Sequence, residues 1–436
     1  MKRLVYNQLL RWKNDSERKP LIIKGARQVG KTWIMKEFGR CEYENVVYIN
    51  CDKESGIANL FEDNFDINRI KLGLEALSGQ RIKENKTLII IDEIQEVRKG
   101  LASLKYFKED APGFHVMVAG SLLGIALHNE SSFPVGMVDI IDMYPMNFYE
   151  FLLAIGEDHF GNILATKNWQ LISAMKAKYT DFIRQYYFVG GMPEAVKSYK
   201  KEKDLKKIRR IQNDIIDGYK NDISKHAPKN EVVRINMVLN SISSQLVKEN
   251  KKYIYGAIKK GARAKEFEVA IQWLIDCGIV YKINRVNKAK IPLKFYEDIS
   301  SFKLFLLDCG LFGCLSEAPA KEILIGNNIF EEYKGAFTEE YVLQQIIKYD
   351  GPFVYYWSRK TSDAELDFLV QYGNKLYPIE VKAEENLRAK SLRSFISKNP
   401  DLKGYRISMS DFREEDWLVN IPLCAVSVLF EKDSLL

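Results

Sequence analysis

The chain has 436 residues, of which 46% are hydrophobic and 28% charged, and a formal net charge of +7. That is the balance of a soluble globular protein of about two to four domains, in which a mild basic excess permits nucleic-acid contact without requiring it. No apolar stretch reaches spanning length, and Met1-Lys2-Arg3-Leu4-Val5 lacks the apolar core of a secretion signal, so no membrane contact and a cytoplasmic location are expected. Six dispersed cysteines without a C-x-x-C pair, and four dispersed histidines, argue against a disulfide framework and a zinc site.

The first element is an apolar strand, Leu21–Lys24, running into Gly25-Ala26-Arg27-Gln28-Val29-Gly30-Lys31-Thr32 and then a helix-compatible segment from Trp33. Strand, G-x-x-x-x-G-K-T and helix in that order make a phosphate-binding loop. Glycines let backbone N–H groups curl around phosphate oxygens, and the helix N-terminus adds partial positive charge. Gly25, Gln28, Val29, Gly30, Lys31, Thr32 and Trp33 are therefore the expected ATP contacts. Lys31 would reach the β- and γ-phosphates, and Thr32 would ligate Mg²⁺.

Val46–Asn50 reads as the next strand, and Thr87-Leu88-Ile89-Ile90-Ile91-Asp92-Glu93 as a buried strand ending in two carboxylates. Asp92 is placed to hold Mg²⁺, and Glu93 to polarise the attacking water. A further strand, Val116–Ala119, ends at Gly120-Ser121. Ser121 is either a sensor of the γ-phosphate or a plain turn serine. With Val138–Met143, these strands and the helices between them predict an α/β P-loop NTPase domain with a parallel sheet over residues 1–145.

A helical lid region is expected over 146–250, broken at Gly190-Gly191-Met192-Pro193. Its basic run from Lys200 to Arg210 reads first as a solvated helix face, with phosphate contact as the alternative. Residues 251–327 read as a winged-helix module. Helices are expected at Tyr253–Lys260 and Ala264–Cys277, and strands at Ile279–Ile283 and Leu293–Tyr296, around a basic loop. Such a module reads DNA or serves packing and oligomerisation.

Residues 328–436 carry a helix at Glu331–Ile347, strands at Phe353–Trp357, Glu365–Gln371 and Lys375–Lys382, and a later helix at Leu387–Ser397. Alternation puts Glu380 and Lys382 on one strand face, with Asp367 and Glu339 as candidate neighbours. Carboxylates with a lysine suit Mg²⁺-dependent phosphodiester cleavage, since the acids hold the ion and the lysine stabilises developing negative charge. Alternating acids and lysines also occur on exposed strands without function.

Taken together, these motifs resemble a group of prokaryotic AAA-type P-loop ATPases whose C-terminal domain has a restriction-endonuclease-like, PD-(D/E)xK core. The resemblance is carried by Gly25–Thr32, Ile91-Asp92-Glu93-Ile94-Gln95 and Ala119-Gly120-Ser121. It extends to Tyr144-Pro145-Met146-Asn147-Phe148-Tyr149-Glu150-Phe151, Gly190-Gly191-Met192-Pro193-Glu194 and Leu306-Leu307-Asp308-Cys309-Gly310-Leu311. Phe337-Thr338-Glu339, Glu365-Leu366-Asp367-Phe368 and Pro378-Ile379-Glu380-Val381-Lys382 complete it. It implies ATP binding and slow hydrolysis with an unknown output. The leading reading of the whole chain is that nucleotide state is coupled to a nucleic-acid-associated C-terminal domain, with the DNA, RNA or protein partner and the oligomeric state left open. No arginine finger stands out: Arg27 lies inside the loop, and Arg184 precedes the glycine pair. A GTPase would need N-K-x-D, which neither Asn287-Lys288-Ala289-Lys290 nor Asn85-Lys86-Thr87-Leu88 supplies. The alternative is a non-hydrolysing adaptor that uses ATP as a structural ligand and binds a protein partner.

Overall fold

The computed structural model describes all residues except 55, 63, 64, 122, 123, 125–132, 249, 250, 326, 327, 360–363, 385–388 and 431–436. The chain divides into two compact units, one of Lys2–Tyr144 with Asp276–Ile279, the other of Pro145–Ile275 with Val280–Leu436 and Met1. Among the described residues no helix is long and apolar enough to cross a membrane.

The first unit is built on five parallel strands, β1 (Leu21–Lys24), β2 (Asn45–Asn50), β3 (Thr87–Asp92), β4 (His115–Ala119) and β5 (Asp139–Asp142), in the spatial order β2-β3-β4-β1-β5. Each lies within a residue or two of its expected span. The inner strands β3 and β4 are buried throughout, whereas the edge strands β2 and β5 alternate with more exposed positions. That is why the inner strands read as unbroken apolar runs. Ile22, Val47, Ile49, Ile89, Ile91, Val116 and Val118 form one face and pack with Ile70 and Leu74 of helix Ile67–Ser78 and Leu101, Leu104 and Phe107 of helix Gly100–Asp110. Each fully buried aliphatic side chain of this kind contributes roughly 1.5–3 kcal/mol. On the other face, helix Lys31–Glu42 comes close: a Cβ on Gly39 would meet Val46 Cγ2 at 2.7 Å.

The second unit joins a helical layer to a sheet of eight strands among the described residues. The strands are β6 (Val280–Val286), β7 (Glu297–Leu306), β8 (Phe353–Ser358), β9 (Glu365–Tyr372), β10 (Lys375–Val381), β11 (Gly404–Ser408), β12 (Arg413–Glu414) and β13 (Leu418–Pro422). They lie in the order β12-β13-β11-β10-β9-β8-β6-β7.

This sheet runs across the division expected at residue 327. β6 pairs in parallel with β8 at Arg285–Tyr356 and Val286–Trp357, so the segment expected as a winged-helix module shares its sheet with the C-terminal strands. Nor does that segment form the two expected helices. Helix Ala264–Asp276 is present, but 253–260 holds only a short 3-10 turn at Tyr255–Ala257. There the backbone N–H of Tyr253 donates to Phe302 O at 2.8 Å and the two rings stack at 5.5 Å, drawing the chain along β7 instead of into a helix. Leu293–Tyr296, expected as a strand, is a 3-10 turn. The later helix spans Lys390–Ile396; its expected start at Leu387 lies outside the described residues.

Three of the motif segments meet at one buried polar knot in this unit. Asp308 is fully buried and accepts from Gly191 N at 2.6 Å, Leu311 N at 3.1 Å and Gln344 Nε2 at 3.0 Å. Burial pushes its carboxyl above the usual carboxylate range, against the pull of these donors. Gly190 has φ +73°, and a Cβ there would lie 2.1 Å from Asp308 Oδ1, so only glycine fits. Gly191 in turn exchanges a backbone hydrogen bond with Met146, whose N donates to Gly191 O at 2.7 Å. One residue on, Asn147 and Glu150 cap helix Phe148–Ile155 reciprocally, and Lys348 pairs with Glu150.

Replacing Asp308 by Ala would strand three buried donors, each worth about 1–3 kcal/mol when left unsatisfied. We expect Asp308→Ala to cost about 3 kcal/mol or more in urea unfolding and Asp308→Asn distinctly less. Equal unfolding midpoints for wild type and Asp308→Ala would remove this role.

Candidate nucleotide site

The strand register sets the site. Asp92 pairs with Ala119, and Ile23 also pairs with Ala119, so β1, β3 and β4 end level at one carboxyl edge. The loop after β1, Asp92-Glu93 at the end of β3 and Gly120-Ser121 after β4 therefore meet at one edge of the sheet, the edge at which parallel α/β sheets bind ligands.

The loop's shape depends on its glycines. A Cβ on Gly25 would lie 2.2 Å from Met143 O, and Gly30 has φ +97° at the start of helix Lys31–Glu42. Gln28 is also left-handed, at φ 66°. Beneath the loop, the buried Arg3 donates from Nη1 to Val29 O at 3.0 Å and from Nη2 to Tyr144 O at 2.6 Å. Val29 is buried under the loop, whereas Trp33 points outward and is 44% exposed.

Lys31 Nζ donates to Gly25 O and Ala26 O, each at 2.8 Å, so the ammonium lies folded inside the loop. Burial pushes its pKa down to about 8, with Arg27 pushing the same way and Glu93 and Asp92 opposing. Thr32 Oγ1 donates to Asp92 Oδ2 at 2.7 Å, and Tyr48 OH reaches the same oxygen at 3.1 Å. These are hard oxygen donors of the kind Mg²⁺ takes, and Thr32 and Asp92 are the residues that would hold such an ion. Glu93 has φ 54°, a strained position for a side chain with a Cβ. Its Oε2 accepts from Ser121 N at 3.1 Å, Ser121 Oγ at 3.2 Å and Gln95 Nε2 at 2.7 Å.

The motif thus brings Lys31, Thr32, Asp92, Glu93 and Ser121 together, with Ser121 touching Glu93. Arg3 and Tyr48 belong to the same site, yet neither stands in a motif. Arg3 looks like part of a basic N-terminus, and Tyr48 like one more strand aromatic.

The C-terminal candidates also meet, but in different company. Lys382 Nζ lies 2.8 Å from Glu380 Oε1, and Glu380 Oε2 accepts from Leu392 N at 3.3 Å. Asp367 Oδ2 accepts from Val381 N at 2.8 Å, beside Glu380. Glu339 reaches Asp367, and two lysines absent from the motif answer these charges. Lys251 pairs with Glu339, and the fully buried Lys303 pairs with Glu365 and lies 3.9 Å from Glu339 Oε2. Burial and Asp367 push Glu339 up to about 7 against both lysines. Burial also raises Asp367, but the lysines outweigh it and hold that carboxyl below its usual range. Among the described residues no group of three or more His, Cys, Asp or Glu is arranged to hold a metal ion. Lys251, Lys303 and Lys382 are the cations that these carboxylates meet.

Residues 17–152 match a family described as an AAA domain, and residues 180–322 and 334–424 match two domains of unknown function, DUF8612 and DUF4143. No curated protein matches the chain. Similar solved structures include the Walker-type ATPase PABY2304 of Pyrococcus abyssi, at 15% identity and TM-score 0.45 over 71% of this chain and 94% of that one. Others are the Aeropyrum pernix Orc1 protein in complex with DNA (14%, TM-score 0.27, 73% and 92%) and the Thermotoga maritima RuvB Holliday junction branch migration motor (14%, TM-score 0.29, 66% and 89%). The AAA-domain match over residues 17–152, together with the geometry of Lys31, Thr32, Asp92 and Glu93, supports an AAA-type P-loop ATPase domain in the first unit.

Proposed function

We propose that the chain binds ATP with Mg²⁺ and hydrolyses it, and that nucleotide state governs a nucleic-acid-associated second unit. The observation that carries the first part is the meeting of Thr32, Asp92 and Glu93 at the strand ends, with Lys31 inside the loop. Lys31 neutralises the β- and γ-phosphates, and backbone N–H groups of the loop hold their oxygens. Thr32 and Asp92 would hold Mg²⁺, which draws charge from the phosphate oxygens. Glu93 takes the proton of the attacking water as its oxygen bonds to the γ-phosphorus and the bond to the β-phosphate oxygen breaks, releasing ADP. Ser121 and Gln95 hold the Glu93 carboxylate before that step.

Binding must lift the Lys31 ammonium off Gly25 O and Ala26 O and place it on phosphate. Lys31→Ala should weaken ATP binding by about 2–5 kcal/mol, since the buried triphosphate charge loses its partner. The triphosphate favours the ammonium form, so binding raises the Lys31 pKa above its value of about 8 in the free protein. Below that pH both states are protonated and affinity is flat. Above it, each ATP bound takes up a proton, and Kd should rise toward tenfold per pH unit until the pKa of the complex is reached. Calorimetry at pH 7, 8 and 9 in buffers of different ionisation enthalpy checks both points. Unchanged affinity in Lys31→Ala would remove the assignment.

Glu93→Gln keeps Asp92 and the hydrogen-bonding shape but loses the proton acceptor. Phosphate release should fall by about tenfold or more, at least roughly 1.4 kcal/mol of transition-state stabilisation, with ATP still bound. The rival adaptor reading draws on the same geometry, because a Glu93 already satisfied by Ser121 and Gln95 suits a protein that binds without turnover. No turnover in the unaltered protein would favour it.

The second part rests on the loop between β6 and β7. Lys288, Lys290 and Lys294 are exposed there, and Phe295 is 81% exposed beside them. Cations around an unburied ring suit phosphates and a stacked base. Binding of single-stranded DNA or RNA should weaken steeply between about 50 and 200 mM salt, and replacing Lys288 and Lys290 by Ala should flatten that slope. Absence of binding at low salt, with and without ATP, would favour a protein partner.

A further inference from the structure

A pocket in the second unit adjoins the strand and helix that hold Glu380, does not include that carboxylate in its lining, and is unused by the nucleotide site. It has a volume of about 260 Å³ and is walled by helix Lys390–Ile396, β11 and the turn into β13. Lys390, Arg393 and Arg406 bring three positive charges to its lining, against one carboxylate, Glu415. Glu415 Oε1 lies 3.0 Å from Arg413 Nε, so part of its charge is already answered from outside the lining. The pocket therefore favours an anion, and one carrying more than a single charge.

Arg406 is fixed in place as few surface arginines are. It is 3% exposed, and its Nε donates to Asn420 Oδ1 at 2.8 Å. The Asn420 amide is itself held by Ser410 O at 3.2 Å and Asp411 O at 2.7 Å. Strand pairing sets Arg406 opposite Glu380 across β10 and β11. A preorganised guanidinium is suited to a phosphate, whose oxygens match its planar fork.

The remaining wall is aromatic. Trp417 packs against the apolar cluster of Leu392, Phe395 and Leu418 and remains partly exposed. The Arg393 guanidinium lies 5.8 Å from its ring centroid. An acidic peptide would use the cations and leave the indole idle, and an acyl chain would do the reverse. A flat ring joined to a phosphate uses both. The volume lies just under the usual range for small-molecule pockets, about 300–1,000 Å³, which suits one such unit and not an extended ligand.

We propose that this pocket binds a single nucleoside phosphate unit, its phosphate among Lys390, Arg393 and Arg406 and its base against Trp417. The unit is supplied either by a free nucleotide or by the phosphorylated end of a strand. The proposal does not depend on ATP hydrolysis at Lys31 or on the loop carrying Phe295.

The test is calorimetric titration of the full chain with adenosine monophosphate, adenosine, a 5′-phosphorylated thymidine oligonucleotide and a phosphotyrosine peptide. The binding that Arg393→Ala weakens should amount to one nucleotide or one strand end per chain, and adenosine should show none of it. Arg393 is exposed, so Arg393→Ala leaves the core intact; it should weaken binding by about tenfold or more, and Arg393→Lys by less. Binding should persist in Lys31→Ala, which separates this pocket from the ATP site. Tighter binding of the free nucleotide identifies that source, and tighter binding of the oligonucleotide identifies a strand end; either supports the proposal. It is overturned if neither binds, if Arg393→Ala binds normally, if Lys31→Ala abolishes binding, or if the phosphotyrosine peptide binds as tightly as the nucleotide.

Discussion

The nucleotide site depends on one geometric constraint: parallel strands that end level. β4 lies between β1 and β3, yet the shared register at Ala119 carries the loop of β1 and the carboxylates of β3 to the same edge. Parallel pairing makes this possible because every strand points its carboxyl end the same way, and crossover helices must then cover both faces. The strand between the two motif strands adds Ser121, which reaches Glu93. A register shift of one residue would turn Asp92 to the opposite face and separate it from Thr32.

The polar groups of the site are satisfied by one another. Lys31 is bound to loop carbonyls, Thr32 to Asp92, and Glu93 to Ser121 and Gln95. Each group is held near its working position by a bond that a ligand must replace. Such exchange lowers net affinity relative to the gross contacts made, but it keeps a buried ammonium and buried carboxylates from standing unpaired. Arg3 supports this arrangement from below by fixing the carbonyl of Val29.

The second unit handles buried charge in two ways. Asp308 is held by backbone and amide N–H groups alone, which ties Gly191, Leu311 and Gln344 together with directional bonds. Glu339, Asp367 and Glu365 are instead answered by Lys251 and Lys303. Removing one partner from either arrangement would leave an uncompensated buried group, a larger loss than the arrangement's net contribution to stability. The segments containing Asn147, Gly190-Gly191 and Asp308 stand out in the sequence because they build this packing.

The sequence by itself determined what is local. The full G-x-x-x-x-G-K-T pattern between an apolar strand and a helix is a local signature of a phosphate loop, and the continuous apolar run ending in Asp92-Glu93 is a buried strand that carries its two carboxylates at its carboxyl end. Strand positions in the first unit were legible for the same reason, since burial on both faces leaves unbroken Ile, Leu and Val. Glu380 meets Lys382 as alternation led one to expect, although Lys382 lies one residue beyond the end of β10. Only the tertiary structure decided what depends on contacts distant in the chain. It placed Arg3 under Val29 and Tyr48 on Asp92, and it set Lys251 and Lys303 among the C-terminal carboxylates. It also paired β6 with β8, about seventy residues apart in the chain, so that one sheet crosses the boundary expected at 327. Neither a basic residue's partner nor a strand's neighbour is written in its own segment, because each is chosen by whichever distant surface best satisfies its charge or its open hydrogen bonds.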